Sequence, residues 1–286
     1  MELLAANVVY GLSLGSLYFL VATGLALIMG LMGIFSLVHG SLFMLGAYLS
    51  ITVARLTGSF TAGILAGAGG AGIVGLAIER GFLRRLYKKY LDQILVTLGF
   101  VYIINNVHLW VYGGWAKTPL IPPLLAERAF IGGYGVPLHR IAIIVIGAIV
   151  FLGLWWFQER TKTGAIIRAG MDDKEMASGL GINLTPVTAG VFFLGAALAG
   201  FAGAVGTPLL GGINLKMDEV MLAIAIPVVI VGGMGSIKGA FIAALIIGVA
   251  NALAATYFPQ IDILMMYIIM VIILLARPSG LFGKKL

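Results

Sequence analysis

Residues 6–30 read ANVVYGLSLGSLYFLVATGLALIMG and contain no charged side chain. A helix needs about 20 mostly apolar residues to cross the hydrocarbon core of a bilayer, because each residue rises by only about 1.5 Å. Apolar runs of similar length follow near residues 40–56, 60–78, 92–112, 140–158, 185–207, 219–234, 239–258 and 261–276. The sequence therefore predicts an all-α polytopic membrane protein with about eight to ten transmembrane helices.

The composition agrees with a membrane protein and excludes an ordinary soluble domain. Of the 286 residues, 61% are hydrophobic and 10% are charged, and the mean hydropathy is +1.10. A soluble domain usually has about 25% charged residues. The chain has no Cys, which excludes disulfides, thiolate catalysis and Cys-based metal sites. No long polar linker divides the sequence, so one membrane domain over residues 1–286 is expected.

Small residues recur every four positions in two of the apolar runs. In lipid, such stripes allow helix backbones to approach each other closely. They predict a tightly packed helix bundle and carry no information about a substrate. The stripes are Gly63, Gly67, Ala71 and Gly75 in one run, and Gly195, Ala199 and Gly203 in the other.

The basic residues divide unequally between the two sides of the predicted bundle. Cytoplasmic segments of membrane proteins carry an excess of Lys and Arg. The larger of the two sets of basic residues is therefore expected in the cytoplasm, together with segments 79–91 and 159–184 and the C-terminus. Nine crossings then place the N-terminus outside. The larger set is Arg80, Arg84, Arg85, Lys88, Lys89, Arg160, Lys162, Arg168, Lys174, Lys238, Arg277, Lys284 and Lys285, and the smaller is Arg55, Lys117, Arg128, Arg140 and Lys216.

Acidic residues are expected only at the ends of the apolar runs, where water is near. They are Asp92, Asp218, Glu219 and Asp262. Carriers driven by protons or sodium usually hold ionisable residues at membrane depth, because those groups bind the coupling ion. The pattern argues against a self-powered transporter and indicates either an external energy source or a passive pore.

The polar segment 159–184 is too long for a simple turn between adjacent spans. Asp172 and Glu175 have the spacing of a capping box, and Gly181 is placed to stop a helix, so a helix over residues 173–180 is predicted. Its apolar residues Met176, Ala177 and Leu180 should share one face. Such a short helix needs a surface to dock on. That surface is either its own bundle or a cytoplasmic partner.

Two glycine-containing breaks and one polar cluster could line a translocation path. The first break, between Gly30 and Gly40, contains Ser36 and His39, and the second contains Gly232, Gly233, Gly235 and Ser236. The first break is either a plain cytoplasmic turn or a broken helix at membrane depth. Non-helical backbone at that depth is tolerated against protein or a water-lined cavity, so the second break is either part of a path or a packing turn. The polar side chains Thr97, Asn105 and Asn106 should face the bundle interior. His39, His108 and His139 have no acidic partner by spacing, so no metal site is expected.

A series of motifs runs in order along almost the whole chain. Together these motifs resemble the branched-chain amino-acid ABC transporter permease family, and the chain length favours its shorter, LivH-type member. The sequence departs from the family pattern at Ser36, where the family usually has Asn. The resemblance therefore predicts the fold more closely than the substrate. The motifs are Gly33 to Gly40 with Met44, Gly46 and Tyr48; Glu79-Arg80 with Leu83-Arg84; Leu95, Thr97, Gly99 and Asn106; Thr163-Gly164, Arg168-Ala169, Ala177 and Gly181-Ile182; Gly232-Gly233, Gly235-Ser236 and Gly239-Ala240; and Arg277-Pro278 with Gly280 to Gly283.

The resemblance implies a type II-like importer bundle with broken or re-entrant segments in a bacterial inner membrane. It implies no cofactor in this chain, because ATP and Mg²⁺ would bind two separate cytoplasmic ATPase subunits. A periplasmic substrate-binding protein would deliver the substrate, and a paralogous M-type permease is favoured over a second copy as membrane partner. The residues expected to couple the bundle to the ATPase are Thr163, Gly164, Arg168, Ala169, Asp172, Glu175, Met176, Ala177, Leu180 and Gly181.

Three alternatives remain open from the sequence. Relatives of this family move urea, short amides or other amino acids, so the substrate could differ from a branched-chain amino acid. A stand-alone channel would share the lack of intramembrane acids, but a passive pore does not require the long capped segment 159–184. An intramembrane enzyme would need a nucleophile or metal constellation, which the sequence does not contain.

The predicted orientation can be tested by labelling single cysteines, because the chain has none of its own. In intact spheroplasts, an impermeant thiol reagent should label Leu125→Cys and should not label Leu286→Cys. The opposite labelling would show that the orientation is inverted.

Overall fold

The computed structural model describes residues 2–33, 35–87, 89–131 and 134–283. Helices make up most of this part of the chain, together with a 3₁₀ turn over Leu83–Leu86. The elements are α1 (Glu2–Met32), α2 (Val38–Thr57), α3 (Phe60–Gly81), α4 (Tyr90–Tyr112), α5 (Pro123–Ala126), β1 (Arg128–Ile131), β2 (Tyr134–Pro137), α6 (Leu138–Arg160), α7 (Lys162–Asp172), α8 (Lys174–Gly179), α9 (Leu184–Leu210), α10 (Met217–Gly232), α11 (Ile237–Tyr257) and α12 (Asp262–Ala276).

Among the described residues, seven helices are long and apolar enough to cross a membrane. They are α1, α2, α3, α4, α6, α9 and α11. The two remaining apolar runs, 219–234 and 261–276, form the shorter helices α10 and α12, with 16 and 15 residues. A 16-residue helix is only about 24 Å long, which is less than the hydrocarbon core. The length of α10 therefore indicates a partial crossing.

Helix α1 forms the centre of the bundle and is the most buried of the long helices. It packs antiparallel against α11, where a Cβ atom on Gly11 would lie 2.5 Å from the Cα of Val249. It also packs antiparallel against α9, where Gly195 faces the backbone of Gly24. The predicted small-residue stripe on α9 is thereby confirmed as a close helix contact.

Helices α2 and α3 form a hairpin that packs on α9 through the other predicted stripe. A Cβ atom on Gly67 of α3 would lie 2.5 Å from the carbonyl oxygen of Gly46 in α2. Gly200 of α9 faces the same region of α3, with its Cβ position 2.5 Å from the carbonyl oxygen of Gly67. Three helices thus meet with backbone against backbone, an approach that a larger side chain would prevent.

Helices α2 and α10 both begin inside the bundle. The His39 Nε2–H group, one residue into α2, donates to the Val21 carbonyl at 2.8 Å, and Val21 lies about 16 Å before the end of α1. Gly40 contacts the backbone of Asp218, in the first turn of α10. The expected re-entrant break between Gly30 and Gly40 is present as non-helical backbone, although Ile34 lies outside the described residues.

The basic residues of each predicted set lie at the same end of the bundle. We call the end with the smaller basic set the outer end: there the Arg55 guanidinium donates to the Thr118 carbonyl at 2.9 Å, and Arg140 stacks over Tyr10. We call the end with the larger set the inner end: there Arg168 and Lys238 both approach Glu159, with N···O distances of 3.7 and 3.9 Å. Lys88, Lys284 and Lys285 lie outside the described residues. Which end faces the cytoplasm stays a prediction.

The outer segment 113–139 contains structure that the sequence analysis does not predict. Strands β1 and β2 form an antiparallel hairpin, with Arg128 opposite Pro137 and Ala129 opposite Val136. The one-turn helix α5 precedes the hairpin and packs on α6. The outer end of the bundle is therefore covered by ordered chain.

The close approach of α2, α3 and α9 predicts a position-specific cost for bulk. Gly67→Val should destabilise the protein by about 1–3 kcal/mol or more, because the new side chain meets the Gly46 carbonyl. Gly69→Val, two residues away on the same helix, has nothing within 4 Å of its Cβ position and should have little effect. Thermal unfolding of both variants in detergent measures the difference. Equal midpoints would contradict the packing described for α3.

Candidate functional site

A buried carboxylate lies where the first turns of α2 and α10 meet. Asp218 has only 2% of its surface exposed. Its Oδ2 atom accepts a hydrogen bond from the Asn105 amide at 3.0 Å and a longer one from the Ser41 hydroxyl at 3.4 Å. Its Oδ1 atom accepts from the backbone N–H of Glu219 at 2.9 Å. Three elements, α2, α4 and α10, thus converge on one acidic side chain.

The prediction that Asp218 lies near water, at the end of an apolar run, is wrong. Because α10 starts inside the bundle and ends at its inner face, Asp218 lies about 21 Å from that face. The chain therefore holds an ionisable group at membrane depth, and the argument against an ion-coupled carrier loses that support.

Polar and aromatic side chains continue from Asp218 towards the outer end, between α2 and α4. Tyr48 stacks on Tyr112 with ring centroids 4.6 Å apart and lies 4.9 Å from the ring of His108. The Thr52 hydroxyl donates to the Tyr112 hydroxyl at 3.0 Å. One further turn along α2, Arg55 reaches the outer segment. The polar contacts between α2 and α4 thus extend from Asp218 to the outer surface.

Towards the inner end, the same face of α4 carries Gln93 and Thr97. The buried residues of α4 are Gln93, Thr97, Ile104 and His108, three of which are polar. Gln93 lines a cavity of about 740 Å³ that lies between the ends of α1, α4, α8 and α9. We call the whole row the polar seam. It consists of Gln93, Thr97, Asn105, His108 and Tyr112 on α4, Ser41, Tyr48 and Thr52 on α2, and Asp218 on α10.

The seam includes some of the predicted path residues and leaves others out. Thr97 and Asn105 belong to it, as described above. Asn106, expected to face the interior, is exposed and donates to the Tyr102 carbonyl of its own helix, so that expectation is wrong for this chain. Ser36 and His39 are buried in the first break, where His39 joins α2 to α1. Asp218 and Ser41 are the residues that sequence reasoning missed.

The second break forms a packing turn at the inner end. Gly233 and Gly235 adopt positive φ angles of 95° and 80°, which favour glycine. The Gly232 carbonyl accepts from the Phe282 N–H at 3.1 Å, and the Ser236 hydroxyl accepts from the Gly239 N–H, which caps α11. Of the two interpretations left open by the sequence, these contacts favour the packing turn. None of its four predicted path residues contacts Asp218 in the described part of the chain.

The predicted helix over 173–180 exists with different limits and a different cap. It is α8, with six residues, and Asp173 rather than Asp172 is its N-cap, accepting from the N–H groups of Glu175 and Met176. Gly181 follows the helix with a φ of 83°, as expected for a helix stop. The structure adds α7, which the sequence analysis does not predict, and α7 carries Thr163, Gly164, Arg168 and Ala169.

The apolar residues of α8 do not share one face, contrary to the expectation. Ala177 is 3% exposed and therefore packs within its own chain. Met176 and Leu180 are 63% and 75% exposed. Adjacent helix positions differ by about 100° around the axis, so Ala177 packs on the bundle while Met176 and Leu180, four positions apart, face away from it. The apolar surface available to a partner is therefore formed by Met176 and Leu180.

Two side chains connect the inner cavity to its surroundings. The Lys174 ammonium donates to the Met32 carbonyl at 2.8 Å, which ties α8 to the end of α1. Burial lowers the pKa of Lys174. The Tyr87 hydroxyl donates to the buried Glu79 carboxylate at 2.5 Å, and burial, followed by this contact, raises the pKa of Tyr87. Polar contacts thus hold α8 to the end of α1, and the segment before α4 to α3, at the inner end.

Comparison with known proteins gives consistent similarities over nearly the whole chain. The family described as the permease component of the branched-chain amino acid transport system matches residues 7–274. The high-affinity branched-chain amino acid transport system permease protein BraD of Pseudomonas aeruginosa is 31% identical over 294 residues, covering 97% of this chain and 95% of BraD. LivH of Salmonella typhimurium is 29% identical over 290 residues, covering 96% of this chain and 94% of LivH.

A longer relative and a solved structure extend these similarities. The permease protein LivM of Salmonella typhimurium is 29% identical over 296 residues, covering 93% of this chain and 67% of LivM. A chain of PsaBC from Streptococcus pneumoniae, solved in complex with Fab, has a TM-score of 0.52 and 12% identity, and the match covers 96% of this chain and 92% of that chain. The structural likeness concerns the fold alone, and it confirms the predicted helix bundle.

Proposed function

Because the chain belongs to the permease family of the branched-chain amino acid transport system, as its motifs predict, we propose that it forms the membrane path of an ABC importer. Its cargo would be branched-chain amino acids, which the names of LivH and BraD specify, or related small amino acids. The observation that supports a path through this chain is the polar seam. Its polar residues are spaced along α2, α4 and α10 from the outer segment towards the inner cavity, and three of the four buried residues of α4 belong to it.

The polar seam lies along a helix that can move without opening the apolar core. Helix α4 is the least buried of the seven long helices, and most of its buried residues belong to the seam. Helix α1, in contrast, is packed on all sides by α9, α11 and their neighbours. Alternating access would therefore use motion of α4 relative to α2 and α10. That motion exposes polar groups, which water can satisfy.

Energy would come from two ATPase subunits that bind ATP and Mg²⁺ outside this chain. The proposed contact is α8, with Met176 and Leu180 as its exposed apolar residues. Movement of α8 would reach the path through Lys174, which contacts the end of α1 beside the inner cavity. Arg168 and Lys238 on either side of Glu159 would stabilise the neighbouring α7 during this movement.

The remaining partners follow from the same family. LivH-type and LivM-type permeases both match this chain, which supports a paralogous M-type permease as its membrane partner. A periplasmic binding protein would contact the outer end, formed by α5 and the hairpin β1–β2. The chain is a multi-pass membrane protein. We assign it to a bacterial inner membrane, with its C-terminus in the cytoplasm.

Adjacent asparagines provide a matched test of the path. Asn105→Leu should reduce ATP-driven leucine uptake into vesicles at least about tenfold, because Asp218 loses its shortest side-chain hydrogen bond and the seam loses a polar group. Asn106→Leu changes an exposed residue outside the seam and should leave uptake nearly unchanged. Equal effects of the two changes would contradict this path.

The coupling contact predicts a loss of assembly from a surface change. Leu180→Glu should weaken co-purification of the ATPase subunits by about 2 kcal/mol or more, because the change places a charge in an apolar contact. Leu124→Glu, at a residue 69% exposed at the outer end, is the control and should assemble normally. Normal ATPase binding and transport by Leu180→Glu would show that α8 only rests on its own bundle, and would favour a stand-alone channel.

A further inference from the structure

The negative charge of Asp218 has no cationic partner among the described residues. Its three described donors are a hydroxyl, an amide and a backbone N–H. The described ion pairs, Arg168–Glu159 and Lys238–Glu159, lie at the inner end. Lys216, the nearest basic residue in the sequence, is exposed. A carboxylate buried among neutral donors remains able to attract a cation strongly, because little solvent screens it.

Neutral hydrogen-bond donors and helix N-termini stabilise the Asp218 carboxylate, and no described residue supplies a permanent cation. Asp218 lies in the first turn of α10 and contacts the first turn of α2, so two positive helix ends face it. Ser41 and Asn105 fix its Oδ2 atom from α2 and α4. Its Oδ1 atom has one described donor, which leaves a lone pair for another. The arrangement suits a cation that binds transiently, since the neutral donors stabilise the carboxylate when no cation is bound.

The outer half of the polar seam also suits a cation rather than an anion. The His108 Nδ1–H group donates to the Ile104 carbonyl at 2.7 Å, so Nε2 of the neutral ring is a free acceptor, and Nε2 is buried without a described partner. The Tyr48 hydroxyl is likewise buried without a described partner.

Resting on the proposed function, we propose that Asp218 binds the ammonium group of the amino acid as it crosses the bundle, with Ser41 and Asn105 as positioning residues. The ammonium group donates to the carboxylate as the substrate passes from His108 and Tyr48 towards the inner cavity. Charge-assisted hydrogen bonds of this kind are roughly twice as strong as neutral ones. The site therefore selects for an amine, and it disfavours urea, short amides and acids that lack the amino group.

The first test uses the wild-type protein and three related ligands. Leucine and 3-methylbutylamine, which keeps the ammonium group and the branched chain, should raise the thermal unfolding midpoint of the purified permease complex. The acid 4-methylpentanoate keeps the carboxylate and the branched chain without the ammonium group, and should cause no shift. If the acid and the amine raised the unfolding midpoint of the wild-type complex equally, the proposal would be overturned.

The second test uses neighbouring acidic residues. Asp218→Asn keeps the shape and removes the charge, and should abolish the shift caused by 3-methylbutylamine and reduce leucine uptake at least about tenfold. Asp218→Glu restores the charge and should recover part of both. Glu219→Gln removes the adjacent, exposed charge and should behave as wild type. Wild-type uptake and amine binding by Asp218→Asn would overturn the proposal.

The failure of this inference can be distinguished from failure of the proposed function. If the wild-type complex takes up leucine and Asp218→Asn does so equally well, the importer function stands and the ammonium site does not. If the wild-type complex takes up urea and no leucine, the amino-acid function itself is wrong, and the inference falls with it.

Discussion

The architecture depends on a meeting of two helix N-termini inside the bundle. The first backbone N–H groups of a helix have no partners within the helix, and no water is available in lipid to satisfy them. Neither α2 nor α10 has a side-chain hydrogen bond from its N-cap residue. The protein places the two starts against each other. The Asp218 carboxylate binds the Glu219 N–H in the first turn of α10 and the Ser41 hydroxyl in the first turn of α2, and the Asn105 amide of α4 completes the contact. The polar seam is a consequence of this arrangement.

Two kinds of helix contact divide the bundle into a rigid part and a lightly held part. Helices α1, α2, α3, α9 and α11 meet through glycines, with backbones in direct contact, as at Gly11 and Gly67. A contact of this kind fixes the distance between helices, because no flexible side chain can adjust. Helix α4 packs a few apolar side chains such as Ile104 on the core, and otherwise contacts the bundle through hydrogen bonds and stacked rings, as at Tyr48 and Tyr112. Such contacts can be exchanged for water without a large loss of buried apolar area.

The sequence was sufficient to predict the helix bundle, its close packing and its family. Apolar length predicted the spans, the four-residue stripes predicted the contacts at Gly67 and Gly195, and the motifs predicted the family match. Depth was not predictable, because the short connection before α10 could equally turn at the surface or re-enter the bundle. The sequence therefore predicts Asp218 near water, and it predicts Asn106 inside because polarity alone does not distinguish two neighbouring helix positions. It predicts the short helix α8, but two adjacent aspartates make the cap ambiguous, and the adjacent positions of Met176 and Ala177 point in different directions.

The meeting of α2, α4 and α10 is tested most directly by a cross-link between α2 and α4 at the depth of Asp218. Because the chain has no Cys, the double variant Ser41→Cys with Asn105→Cys can be compared with Ser41→Cys with Asn106→Cys. Residues 41 and 105 both bind Asp218 Oδ2, so a short bifunctional thiol reagent should join the first pair within one molecule, and it should not join the second pair. Failure of the first pair, or equal cross-linking of the second, would contradict the meeting of α2, α4 and α10 on which the path depends.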